Sequence, residues 1–255
     1  MARAAVLGRL TWQVATVESA RTETATARTL ALDVPDWPGH LPGQHVDVRL
    51  TAADGYSTQR SYSIANASEP GRVELTVQRV ADGEVSPYLA ELAEPGDQFE
   101  LRGPIGGYFT WSPVEPAPVL LVAGGSGIVP LMAMIRTRSV TGSRAPFRLI
   151  YSSRGPDDVI YATELDRLAA ADGAAGELEI SYVYTRSIPA GWPSPPGRLD
   201  STALAVAGWP PDREPLAFVC GPTGFVEAVS GLLVEQGHAP NRIKTERFGP
   251  TGGAR

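Results

Sequence analysis

A six-stranded antiparallel β-barrel followed by a parallel-sheet α/β domain is the architecture this sequence predicts. Three observations carry it. The first ~110 residues alternate apolar and polar side chains in short runs punctuated by Gly and Pro, the pattern of a small barrel. The segment Pro113-Val114-Glu115-Pro116-Ala117-Pro118 then breaks the chain, because three prolines in six residues continue neither a helix nor a central strand. Beyond it, wholly apolar runs alternate with helical segments, as parallel strands covered by helices do. The expected units are residues 1–112, a linker at 113–118 and residues 119–255.

In the first unit, Thr11 to Glu18 and Thr29 to Val34 alternate, Pro42-Gly43 marks a turn, and His45 to Leu50 alternates again. Arg60 to Ile64 follows a polar loop at Gly55; Val73 to Val80 is the clearest amphipathic strand, and Phe99 to Arg102 the last. One helix is expected from Ser86 to Leu92, with Ser86 as N-cap and Pro87 as first helical residue. In the second unit, Val119 to Val122, Phe147 to Tyr151, Ile180 to Tyr184 and Leu216 to Cys220 read as strands. Leu131 to Thr137, Thr163 to Ala171, Leu199 to Ala207 and Gly224 to Gln236 read as the helices between and after them. Gly249 to Arg255 reads by composition as a mobile tail.

Composition bounds the function. A hydrophobic content of 43% with 20% charged residues describes a soluble globular protein. The formal charge of −6 argues against nucleic acid as a partner. No apolar run approaches the ~20 residues of a membrane span, and the N-terminus lacks a signal-peptide core. The single cysteine, Cys220, excludes an internal disulfide and a four-thiolate iron–sulfur cluster within these residues. His40, His45 and His238 have no metal-ligand spacing and read as surface or packing residues. The expectation is a cytoplasmic protein without a metal of its own.

Five stretches bear chemistry. Ala123-Gly124-Gly125-Ser126-Gly127 lies between an apolar strand and a helix with Pro130 in its first turn. Strand, glycine turn and helix N-terminus together make an anion site, although a tight connection in any α/β domain reads the same way, and the string is not GxGxxG. Arg60-Ser61-Tyr62-Ser63 sets a fixed cation and an aromatic hydroxyl at a strand start. Gly83-Glu84-Val85-Ser86 closes on a helix N-terminus, and alone it reads as a capped turn. Cys220-Gly221-Pro222-Thr223-Gly224-Phe225 puts a thiol and glycines at the C-terminal edge of the sheet, where a free cysteine is more often a small hydrophobe. Phe248 lies just past the expected last strand, where core packing explains it equally.

In this order and spacing, RxYS, GxxS, GGSGIVP, CGPTGF and a near-terminal aromatic resemble the ferredoxin–NADP reductase family of flavoenzymes, from about Trp12 to Phe248. The resemblance implies a barrel that holds FAD and an α/β domain that holds the pyridine nucleotide. It implies that Arg60 pairs with the flavin pyrophosphate and that Tyr62 and Ser63 contact the isoalloxazine ring, with Ser61, Ile64, His45 and Val80 among the cofactor contacts. The loop Gly83, Glu84, Val85 and Ser86 would cover the pyrophosphate, which favours FAD over FMN. Gly125, Ser126 and Gly127 would take the nucleotide pyrophosphate. Cys220, Gly221, Pro222 and Thr223 would lie at the nicotinamide, bringing its C4 near flavin N5. Phe248 matches the aromatic that shields the flavin, although seven residues follow it, so either Phe248 or the tail covers the ring.

Arg154, Thr185, Arg186 and Arg198 follow the two strands whose ends face the adenosine 2′ position in the family. Arginines there suit a 2′-phosphate, and the acids Asp157-Asp158 come only later, so NADPH is expected, with NADH possible. Solvated loop-tip arginines are the plain alternative. The expected reaction is hydride transfer from NADPH to the flavin, then electron transfer to a separate acceptor, a ferredoxin or an oxygenase component. Ser63, Cys220, Glu246 and Phe248 are the expected catalytic groups, acting by position and polarity. Arg21, Arg28, Arg49, Arg102 and Arg247 would dock an acidic partner if they cluster. A reductase of free flavin, quinone or another small acceptor, or a non-catalytic flavin-binding module, are the alternatives.

Overall fold

The structure, a computed structural model, describes residues 10–172 and 178–249. The first sheet comprises β1 (Trp12–Thr24), β2 (Ala27–Asp33), β3 (His45–Thr51), β4 (Ser57–Ser63), β5 (Arg72–Gln78) and β6 (Gln98–Ile105). Its order is β4-β3-β6-β1-β2-β5, antiparallel throughout. A bridge between Ile64 and Leu75 joins the two edges and closes the barrel. The alternation seen in the sequence turns Leu30, Leu32, Val46, Val48, Val73, Leu75, Val77 and Leu101 inward, each with no exposed surface. Burial on this scale contributes about 1.5–3 kcal/mol per side chain and drives the closure.

Two local expectations need correction. β1 continues past Glu18 to Thr24, because its polar second half, Ser19 to Thr24, pairs along Ala27 to Ala31 of β2. The helix after β5 spans Tyr88–Leu92, and Ser86 does not cap it. Its Oγ instead accepts from the Val80 N–H at 3.1 Å, tying the Gly83–Ser86 loop to the end of β5.

The second sheet holds β7 (Val119–Gly124), β8 (Phe147–Ser153), β9 (Leu178–Tyr184), β10 (Leu216–Pro222) and β11 (Ile243–Phe248), all parallel, in the order β11-β10-β7-β8-β9. β11 is one strand more than patterning expected, and Phe248 ends it, paired with Pro222, rather than following it. α1 (Ile128–Thr141) and α2 (Ala162–Asp172) cover one face, while α3 (Ser201–Ala207) and α4 (Thr223–Glu235) cover the other. β7 serves both: Val119, Leu121 and Ala123 join the first core, Leu120 and Val122 the second. α1 is apolar nearly all round because the barrel residues Ala27 and Ala65 pack into the same core.

Residues 113–118 lie between β6 and β7 outside helix or strand. Just before them, Phe109 and Trp111 are buried in the α/β core, edge-on to Phe218 at 5.4 Å and to Phe147 at 5.0 Å. Tyr108 Oη donates to the Ile243 carbonyl at 3.2 Å, and Lys244 Nζ to the Thr110 carbonyl at 2.9 Å. The two units are thus joined by buried side chains. Among the described residues no helix is long and apolar enough to cross a membrane.

Candidate active site

The chain runs β7-β8-β9 towards one edge of the second sheet and β10-β11 towards the other, so the order reverses between β7 and β10. Ligands of open α/β sheets bind at the carboxyl ends of strands at such a point. Here that point is made by Gly125–Gly127 and Cys220-Gly221. A Cβ on Gly127 would lie 2.1 Å from the Cys220 carbonyl oxygen and 2.7 Å from the Gly221 nitrogen. The turn packs directly on strand β10, and only glycine fits.

A cleft of about 940 Å³ opens beside it, lined by both units. The barrel contributes Arg60, Ser61, Tyr62, Ser63, Val80 and Gly83 to Ser86; the α/β domain contributes Ser126, Val129, Arg247 and Phe248. Patterning overlooked Asp47, Gln59, Thr76, Gln78 and Asp82, which also line it. The backbone bond from Ile64 N–H to the Gln44 carbonyl, 3.0 Å, holds the end of β4 in place. Ile64 itself turns inward and is fully buried in the barrel core, outside the lining of the cleft. His45 also stands outside the lining, against Gly106, and burial lowers its basicity.

The polar groups of the cleft differ in how well they are satisfied. Ser61 Oγ donates to Asp47 at 2.7 Å, and Arg102 holds the other Asp47 oxygen at 2.6 Å. Burial would raise this carboxyl, but the two hydrogen bonds bring it below its ordinary range, so Asp47 is an anion. Glu84 accepts from Tyr56 Oη and Thr58 Oγ1, both at 3.1 Å, which pins the loop beside β4. A carboxylate offers no donor to a phosphate. Arg60 lies 3.9 Å from Glu84, an exposed pairing of little energy that leaves the guanidinium available to another anion. Ser63 Oγ is buried without any partner. An orphaned hydroxyl, a cation at the mouth and the aromatic rings of Tyr62 and Phe248 suit a flat, hydrogen-bonding ligand with a phosphate tail.

Behind the cleft, Cys220 and Glu246 face each other across β10 and β11. Cys220 is fully buried; burial first, and then Glu246, push its thiol well up, so it is neutral and inert as a nucleophile. Burial pushes the Glu246 carboxyl up to about 7, and its Oε2 has no hydrogen-bond partner. Neither residue lines the cleft itself, whereas Ser63 and Phe248 do. Pro222 and Thr223, exposed, begin α4 at the same sheet edge.

Comparison with known proteins identifies the lineage. Residues 14–110 match the family described as Oxidoreductase FAD-binding domain, and residues 121–231 match Oxidoreductase NAD-binding domain. The chain is 35% identical over 215 residues to ferredoxin–NADP reductase B of Sorangium cellulosum, covering 81% of this chain and 84% of that one. The chain belongs to the ferredoxin–NADP reductase family. By those matches it carries an oxidoreductase FAD-binding domain followed by an oxidoreductase NAD-binding domain. The glycine betaine monooxygenase reductase subunit of Pseudomonas aeruginosa is 32% identical over 212 residues, which are 82% of this chain but 56% of that protein. The chain thus spans about half the length of that relative. The FAD/NAD-binding domain of nitric oxide dioxygenase from Vibrio cholerae superposes with a TM-score of 0.83 at 25% identity, covering 93% of this chain and 99% of that one. A cytochrome P450 reductase from Amycolatopsis gives 0.82 at 26% identity, covering 97% and 73%.

The Arg186 N–H donates to the Arg154 carbonyl at 2.8 Å and Thr185 N–H to the Ser153 carbonyl at 2.9 Å, so the tips of β8 and β9 are bound together. Gly197 N–H, beside Arg198, returns to the Tyr184 carbonyl at 2.9 Å. All three arginine side chains are exposed, and among the described residues none is in an ion pair. The five arginines named for docking an acidic partner are in ion pairs within the chain. Arg21, Arg28, Arg49, Arg102 and Arg247 are each paired with an acid, and Arg49 and Arg102 meet on the ring of Trp12. The tail from residue 250 lies outside the described residues, and with it the alternative that the tail covers the flavin.

Proposed function

We propose that this chain is an FAD-dependent reductase that takes hydride from NADPH and passes electrons, one or two at a time, to a separate acceptor, a ferredoxin or an oxygenase component. The observation that carries this reading is the 940 Å³ cleft in which Arg60, Tyr62 and Ser63 of the barrel stand opposite Ser126 and Phe248 of the α/β domain. FAD, when bound, supplies the hydride acceptance and the stepwise electron release that no side chain provides.

The chain's own residues bind and orient. Arg60 neutralises pyrophosphate at the mouth of the cleft. Ser63 gives its unpartnered hydroxyl to the ring edge, and Tyr62 and Phe248 pack the faces. The Gly125–Gly127 turn and the N-terminus of α1 take the nucleotide pyrophosphate with backbone N–H groups. Cys220 and Glu246 shape the nicotinamide end, and Arg154, Arg186 and Arg198 hold the 2′-phosphate. A cleft lined from both units would hold donor and acceptor at reacting distance. These residues hold one cysteine, so an iron–sulfur acceptor lies outside them. We place the reaction in the cytoplasm, where its nicotinamide donor is found.

The test is anaerobic stopped-flow reduction of the purified flavoprotein by NADPH and, separately, by NADH. Fast bleaching of the flavin band supports the reading; a protein that binds no flavin overturns it. A second measurement checks the arginines. In Arg154→Ala/Arg186→Ala, the half-saturating NADPH concentration is expected to rise roughly 10- to 100-fold, the worth of one or two charge-assisted contacts, while that for NADH changes less than about twofold. Equal shifts for both nucleotides would make these ordinary surface residues.

A further inference from the structure

Tyr161 has no place in the site described so far, and its geometry is unusual. It is 2% exposed, and its backbone sits at φ 64, in the left-handed region that a tyrosine rarely adopts. Two bonds hold it there: its carbonyl accepts the Leu165 N–H at 2.9 Å as α2 begins, and the preceding N–H, of Ile160, donates to Tyr151 Oη at 3.2 Å. The ring stays in the core beside α1, with its hydroxyl end against the outer face of the barrel. There Tyr161 Oη donates to Thr76 Oγ1, and Thr76 is a lining residue of the cleft.

The hydroxyls form a directed chain. Thr29 Oγ1 gives its one proton to Glu23 at 2.6 Å. At its 2.7 Å contact with Thr29, Thr76 must therefore be the donor, which leaves Thr76 as the acceptor from Tyr161. The order runs Tyr161, Thr76, Thr29, Glu23 and ends on a carboxylate that Arg21 also holds at 2.8 Å. Every hydroxyl in it is committed. A second tie runs in parallel. Arg136, on the helix that begins at the Gly125–Gly127 turn, lies 5.0 Å from the centre of the Tyr161 ring. It donates to the Ala65 carbonyl at 2.9 Å and to Glu74 at 3.1 Å in the barrel, and to Glu164 at 2.6 Å in α2.

We infer that Tyr161 is a positioning residue that sets the α/β domain, and so the nicotinamide end of the site, against the barrel wall of the cleft. This rests on the reductase reading above. Its hydroxyl acts through Thr76 and not on either nucleotide. Losing it should slow hydride transfer by displacing the two halves of the site while leaving nucleotide affinity in place.

The experiment compares wild type with Tyr161→Phe, both loaded with FAD. Expected for the variant is a limiting rate of anaerobic flavin reduction by NADPH lowered about tenfold, with the half-saturating NADPH concentration changed less than twofold. In the flavin-free proteins, amide hydrogen exchange over residues 160–163 should accelerate several-fold. Thr76→Val, which removes the acceptor, should reproduce the rate loss, and the double variant should be no slower than either single one. If Tyr161→Phe fails to fold, the rate of Thr76→Val decides alone. A folded variant with wild-type rate and exchange overturns the inference, as does a loss confined to NADPH affinity. Wild type that is not reduced by NADPH or NADH would instead overturn the reductase reading.

Discussion

Gly127→Ala is expected to lower NADPH-dependent flavin reduction at least ~100-fold and the melting temperature by roughly 5–10 °C. The added Cβ would lie 2.1 Å from the Cys220 carbonyl oxygen and 2.4 Å from its carbon, and neither atom belongs to a flexible side chain. Cys220 is paired on one side with Ala123 and on the other with Glu246, so β10 cannot yield without disturbing both neighbouring strands. The turn would have to move instead, and with it the start of α1. Overpacking of this kind costs about 1–3 kcal/mol or more. A displacement near 1 Å at a nucleotide-binding loop is enough for the rate loss. Gly125→Ala makes the control. Its Cβ would meet nothing within 4 Å, and only the left-handed backbone at φ 55 resists it, a penalty of about 1–2 kcal/mol. Stopped-flow reduction of the two variants should separate widely, with Gly127→Ala also the less stable in thermal melts; equal rate losses would show that the packing against Cys220 is not what demands glycine.

This contrast also shows what is legible in a sequence. The glycine loop between an apolar strand and a helix is readable because its composition and its neighbours point the same way. β5 is readable because Val73, Leu75 and Val77 all turn inward while the residues between them do not. What that alternation cannot say is what the outward face meets. Thr76 and Gln78 look like solvent-facing polar residues, yet they line the cleft because a second domain stands opposite. Tyr161 carries no local signal, since its left-handed backbone and its bond to Thr76 exist only after the two units pack. Ser86 failed for a related reason. A serine before a proline is the usual helix cap, but the Val80 N–H at the end of β5 claims its hydroxyl. Likewise, the polar half of β1 was hidden because its pairing with β2, not its side chains, makes it a strand.

Glu246→Gln is expected to remove a pH dependence from both stability and rate. Burial pushes the Glu246 carboxyl up to about 7 from an ordinary 4.5, and Oε2 has no donor to stabilise its charge. The folded protein therefore binds this proton more tightly than the unfolded chain does. The resulting stability is complete below about pH 4.5, declines as pH rises, and is gone above about 7, a total of roughly 3 kcal/mol. Glutamine is neutral at every pH and nearly the same shape, so melts of wild type and variant at pH 5, 6, 7 and 8 should diverge by several degrees, with the variant gaining relative to wild type as pH rises. Parallel curves would show that the carboxyl is solvated and ordinary. The rate carries the same signature for a different reason. In the proposed reaction hydride loss would leave the nicotinamide ring positive, and an ionised Glu246 carboxylate behind the cleft wall, acting through a water-poor interior, would favour that charge. Wild-type reduction by NADPH should accelerate through about pH 7, while Glu246→Gln should stay at the low plateau, roughly 10- to 100-fold below wild type at pH 8. A variant that keeps the inflection assigns it to another group. One that loses the inflection without losing rate confines Glu246 to the fold.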